Sequence, residues 1–250
     1  MRVRDTTSGS GAAPSPAGPS ASLHAGPALE VALLCAGLVE ELHPLLRRLT
    51  ARDPRERWQR AGSAAALLRA AGTDPCRALA LAARERAVDG DVHVRAEGAD
   101  PDSAALRHAL RVWAVLRAAA AGGAGPAAQD AERYVLEQRA SAVLLGAEPD
   151  DLPGSAAEVE ADVEQVRREA AGERALGAVG AQGGARRPRT PFPPLGAAPP
   201  PWLRADALAV ALLPGWAREL FSGAPHAPGE EELTAALAAL APLRGPGSPA

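Results

Sequence analysis

The stretch Arg84–Arg117, RERAVDGDVHVRAEGADPDSAALRHALRVWAVLR, decides how the whole chain is read. Its second half is an amphipathic helix over Ser103 to Ala120, capped by Asp100-Pro101-Asp102 and carrying His108 and Trp113. Its first half is harder to place. Asp89-Gly90 is a turn signal, and the alternation Val92-His93-Val94-Arg95 fits a short extended segment. A helix that resumes and ends at Gly98 fits as well. No strand-rich region occurs elsewhere, so the expectation is all-α.

Downstream, Gly122-Gly123-Ala124-Gly125 is a linker and Pro126 opens a long helix that ends at Gly146. Ser155 and Glu158 have capping-box spacing, which predicts a helix over about 156–171. Residues 172–201, ending in PFPPLGAAPPP, predict a long Pro/Gly-rich loop. A helix over Trp202 to Phe221, broken at Pro214, and a short one from Glu230 follow, with a disordered end at 244–250.

Upstream, Thr73-Asp74-Pro75 caps a helix over Cys76 to Val88, and Asp53-Pro54 opens one that ends at Gly72. Leu34, Leu38, Leu42, Leu45 and Leu49 recur at three- and four-residue spacings, which predicts a helix from Pro27 to about Leu49. Residues 1–26 hold too little apolar material to offset ordering entropy and are expected to be a disordered tail. One helical domain over 27–243 is the expected organisation.

Composition narrows the function classes. The chain has 250 residues, enough for a sizeable core, and a net charge of -3, which gives no electrostatic case for nucleic acid. Lys, Ile and Asn are absent; all three use AT-rich codons, which points to a GC-rich genome. Arginine therefore carries the fixed positive charge. Aromatic residues make up 3%, so Trp58, Trp113, Trp202 and Trp216 are expected to fill core positions between helices. Cys35 and Cys76 lie far apart with no metal-ligand spacing, which argues against a zinc site. The N-terminus lacks the layout of a secretion signal, and the apolar run Ala28–Val39 is too short to span a bilayer, so a cytoplasmic location is expected. No phosphate-binding glycine loop, G-x-S-x-G elbow or H-E-x-x-H is present.

Three segments taken in order are similar to the family of MpaB-type oxygenases and rubber (latex-clearing) oxygenases. They are DPRERWQRA (53–61) with VDGDVHVRAEG (88–98) and the helix containing RVWAVL, then ERYVLEQRASAVLLGAEPDDLP (132–153), then ALLPGWARELF (211–221). The resemblance implies an all-helical fold around a b-type heme with an axial histidine, and activity with dioxygen on an apolar small molecule. His93 stands where the family shows "H…V.G" and is carried over as the iron ligand. Arg57 and Arg60 match the "R…(K/R)T" element and would hold propionates or polarise an oxygen intermediate. Trp58 and Trp113 would line the pocket.

The chain also departs from that pattern. The family threonine is Ala61, no lysine can serve at position 60, and "WVH" reads Trp113-Ala114-Val115, which leaves the second family histidine missing. His43-Pro44 falls too late to align with the first-helix motif.

The plain readings stand beside these. His24 and His226 are expected to be solvated, His43 to sit at the surface or a helix end, and His108, between Arg107 and Arg111, to lie on a solvated face. His93 is either a core histidine with a satisfied ring or the ligand. Arg57 and Arg60 are also explained by ion pairs with Asp53 and Glu56. A non-catalytic helical scaffold that has lost its cofactor, and that binds a partner, is the alternative function. The oligomeric state is open.

Overall fold

The computed structural model describes residues 18–26, 28–48, 53–95, 102–123, 125–180, 201–222 and 230–238, with backbone only at 48, 88–95, 102, 174–180, 201–204, 221–222, 230, 232, 236 and 238. Ten α-helices occur among these residues: α1 (Pro19–Ala25), α2 (Ala28–Glu40), α3 (Pro54–Ala71), α4 (Pro75–Arg95), α5 (Asp102–Ala121), α6 (Ala128–Leu144), α7 (Ala156–Gly180), α8 (Pro201–Leu212), α9 (Gly215–Ser222) and α10 (Glu230–Ala238). No strand occurs among the described residues, so the all-α expectation holds.

The fold is arranged around α2. Leu29, Val31, Ala32, Leu33, Leu34, Cys35, Ala36, Leu38 and Val39 are all buried, so this helix is apolar on every side and has to be enclosed. It packs against α3, α5 and α8, while α7 covers α5 from outside and α1 rests on α6. The stripe Val159, Val163, Val166 and Ala170 is the face that α7 buries. No single described helix is long and apolar enough to cross a membrane.

Several helix ends obey their sequence signals. Asp53 caps α3 by accepting from the N–H groups of Arg55 (2.7 Å) and Glu56 (3.2 Å), with Pro54 at the first helical position. Ser155 Oγ accepts from the Glu158 N–H (3.2 Å), and the Glu158 carboxylate accepts from the Gly154 N–H (2.6 Å), one residue further back than a standard capping box. The break at Pro214 separates α8 from α9 as expected.

Other ends differ from expectation. α4 runs unbroken through Asp89-Gly90-Asp91 to Arg95, and α7 passes Gly172 to reach Gly180. A glycine inside a helix costs about 1 kcal/mol relative to alanine, a penalty that good helix formers on both sides can carry. α2 stops at Glu40 instead of reaching Leu49, because Pro44 offers no N–H to continue the ladder; a turn and a short 3-10 segment, Leu46–Arg48, follow. Residues 18–26 are not tail. Pro19 opens α1, which docks through the Ser20 hydroxyl on Glu137 (2.6 Å) and through buried His24. The remaining tail, most of the 172–201 loop, the 244–250 end and His226 lie outside the described residues.

Candidate functional site

Arg57 is set on the first turn of α3 by the Asp53 cap. Its guanidinium lies between Glu41, at 2.9 Å in the turn after α2, and Asp206 of α8, also at 2.9 Å. The three side chains are 12%, 19% and 16% exposed, so the cluster is largely dry. Burial raises the Glu41 pKa, and the Arg57 charge opposes that rise. These partners are not Asp53 and Glu56; the folded chain gives Arg57 two acids distant in sequence, and it ties three elements together. Arg60 does pair with Glu56, at 2.9 Å across one helical turn.

Trp113 is buried in the α5 face of the core, as its sequence reading requires, and Trp58 and Trp216 pack half-buried against the same core. The Arg117 guanidinium lies over the Trp113 ring, 5.6 Å from its centroid, and Arg117 Nε donates to the Leu212 carbonyl at the end of α8. Cys35 is fully buried, and burial pushes its thiol up to about 12, so it stays protonated at neutral pH and is a poor metal ligand. His93 lies on the last turns of α4, but its side chain falls outside the described residues, as does that of Trp202. Arg57, Arg60 and Trp113 make no hydrogen bond or ion pair with one another.

The histidines expected at the surface are inside. His24, His43 and His108 are 5%, 3% and 6% exposed, which corrects the solvated readings of His24 and His108; His43 is not at the surface but does follow the end of α2. His24 Nδ1 donates to the Leu68 carbonyl (3.2 Å), so the neutral ring accepts at Nε2 from the Tyr134 hydroxyl (3.0 Å). Burial lowers the His24 pKa to about 4 and raises that of Tyr134 well above its ordinary value. His43 Nδ1 accepts from the Leu46 N–H, which puts the ring proton on Nε2, and Nε2 donates to Glu169 of α7 at 2.6 Å. That pair borders a cleft of about 470 Å³ between the turn after α2, the start of α5 and α7. Asp151, Asp162 and Glu169 line it together with Leu45, Leu46 and Leu106. Burial, then the nearby Glu158 charge, raises the Asp162 pKa.

His108 differs from the other two. Its Nε2 is buried with no hydrogen-bond partner among the described residues, and burial followed by the Arg111 and Arg139 charges lowers its pKa to about 4. An imidazole left this way costs about 1–3 kcal/mol unless something meets it. The signal that could have found it is the stripe Ala105, His108, Val112 and Val115, every member of which is buried. Its arginine neighbours suggested solvent, but Arg107 reaches back to the buried Glu40, at 3.3 Å.

A heme needs a neutral, buried imidazole with a free nitrogen and cationic groups nearby for its propionates. His24 and His43 fail this, since both ring nitrogens of each are engaged, and the acid-lined cleft would repel propionates. His108 has the free nitrogen, but buried Ala105, Ala142, Ala147 and Leu152 close the seam beside it. Among the described residues no group of three His, Cys, Asp or Glu side chains could hold a bare metal ion.

Residues 22–243 match the family described as "ER-bound oxygenase mpaB/B'/Rubber oxygenase, catalytic domain". No curated protein and no solved structure gives a significant match.

Proposed function

The chain belongs to the MpaB/rubber-oxygenase catalytic-domain family, and on that premise we propose that it is an oxidoreductase that binds a b-type heme between its helices and acts with dioxygen on an apolar small molecule. The observation that carries this reading is the family match, which takes in nearly every described helix. Heme, when bound, supplies the redox chemistry by which dioxygen is activated.

The chain's own residues supply the setting. The resemblance supports His93 as a ligand, and an imidazole nitrogen at the iron would tune the group through its orientation and surroundings. Trp113 and the apolar residues of α2 and α5 exclude water, which favours an apolar substrate. Arg60 would meet a carboxylate of the cofactor by turning from Glu56, a pair that is half-exposed and therefore cheap to exchange. Arg57 would have to leave two buried acids to do the same, so its part is to position α3 rather than to touch the reacting atoms.

The alternative is a cofactor-free helical scaffold that binds a partner. What favours it is Arg57, whose charge is already spent on Glu41 and Asp206, and the acidic lining of the described cleft. Expression with a heme precursor, followed by an absorption spectrum and iron analysis, separates the two. A Soret band with about one iron per chain supports the oxygenase reading, and oxygen uptake with apolar compounds would then follow. A folded, colourless, iron-free protein that takes up no added hemin refutes it.

A further inference from the structure

We propose that the cleft beside His43 binds a linear aliphatic diamine, with one ammonium on Asp162, the other on Glu169 and the apolar stem along Leu45, Leu46 and Leu106. The cleft holds about 470 Å³, a size suited to a small organic molecule. Its two walls differ in kind. Asp162, Gln165 and Glu169 line it from α7, at three- and four-residue spacings that put them on one helix face. The three leucines line it from the segment after α2 and from α5, and Leu45 is 53% exposed, so the apolar wall reaches solvent. No arginine is among the described residues that line the cleft.

The missing cation sets this cleft apart. Elsewhere the buried and half-buried acids take arginines: Glu30 pairs with Arg69, Glu40 with Arg107 and Glu41 with Arg57. The Asp162 carboxylate has no hydrogen bond or ion pair among the described residues, and burial followed by the like charge of Glu158 raises its pKa. An ammonium beside it would oppose both effects. Glu169 is built differently. The buried His43 ring donates to it at 2.6 Å while accepting at Nδ1 from the Leu46 N–H, and a ring in that state is neutral. His43 therefore fixes the Glu169 carboxylate without cancelling its charge. Two turns of α7 separate the two acids, about 10 Å along the axis, too far for one ammonium to meet both. A molecule with a cation at each end of an apolar stem matches that spacing and the leucine wall together. A bare metal ion does not, since no group of three His, Cys, Asp or Glu side chains among the described residues could hold one.

The test is calorimetric titration of the full chain with octamethylenediamine, with putrescine as the short diamine and octylamine as the stem bearing a single charge. Wild type is expected to bind octamethylenediamine at least about tenfold more tightly than either control, the size of one added charge-assisted contact. Asp162→Asn and Glu169→Gln are each expected to erase the advantage over octylamine, because each leaves one pole. Glutamine still accepts from His43, and Asp162 has no partner to lose, so both variants should fold; if Glu169→Gln does not, Asp162→Asn decides. Leu45→Ser, at an exposed position, is expected to weaken octamethylenediamine and octylamine alike. A diamine that binds no tighter than octylamine overturns the proposal, and so does an advantage that survives in folded Asp162→Asn. The heme reading is untouched by either result, since the titration contains no heme.

Discussion

Acid should unfold this protein through His24, and the size of the effect follows from its burial. The ring is neutral in the fold with a pKa of about 4, against 6.5 for the free side chain. Between those values the unfolded chain binds a proton that the folded chain refuses, so stability falls as pH falls. The contribution is fully present above pH 6.5, and all of it is gone below pH 4. Integrating between the two states gives a loss of about 2 kcal/mol by pH 5, rising to about 3 kcal/mol at the acid limit. Buried His108, also lowered to about 4, acts in the same sense, and the raised carboxyl groups of Glu41 and Asp162 act in the opposite one, since protonating them favours the fold. The His24 share is therefore isolated by difference. Urea unfolding of wild type and His24→Gln at pH 7.5 and pH 5 is the assay. Glutamine keeps a donor and an acceptor but does not titrate, so the variant should lose about 2 kcal/mol less than wild type over that interval. Equal losses in the two proteins would show that His24 is not held neutral, and the reasoning from its contacts with Leu68 and Tyr134 would fail.

Replacing Arg57 by Met should destabilise the fold by about 3 kcal/mol, because Glu41 and Asp206 would then face each other in a largely dry setting; a loss below about 1 kcal/mol in denaturant unfolding would count against the cluster. Tyr134→Phe removes the hydroxyl that His24 accepts from and should cost about 1 kcal/mol in the same measurement, whereas no change would mean that the bond is not formed. Asp53→Ala strips the α3 cap and should also cost about 1 kcal/mol, visible as a lower thermal midpoint; an unchanged midpoint would deny the cap its role. A thiol reagent should modify exposed Cys76 in the native protein and reach Cys35 only after unfolding, so two fast-reacting thiols would contradict the packing of α2.

The helices were legible because periodicity and end signals are local. Asp53-Pro54, Asp74-Pro75, Ser155 with Glu158, and Pro214 each act within a turn of themselves, and the structure honours each of them. The central place of α2 could also be read from its composition, since a helix apolar on every side has to be enclosed. What failed were local signals that a longer helix overrides, such as Gly90 and Gly172, whose cost of about 1 kcal/mol each is small against a run of favourable neighbours.

The candidate site was another matter. A histidine is buried or exposed according to what lies across from it, and His24, His43 and His108 meet α3 and α6, α7, and α6 respectively, all contacts of long sequence separation. Arg57 was assigned the two acids nearest in sequence but took two that packing brought near, Glu41 and Asp206. The sequence by itself therefore determined the family, the helical class and most helix boundaries, because those depend on patterns within one element. Which polar groups are desolvated, which of them are satisfied and which nitrogen is left over were decided by tertiary structure, because desolvation and pairing are properties of surfaces that meet only once the chain has folded.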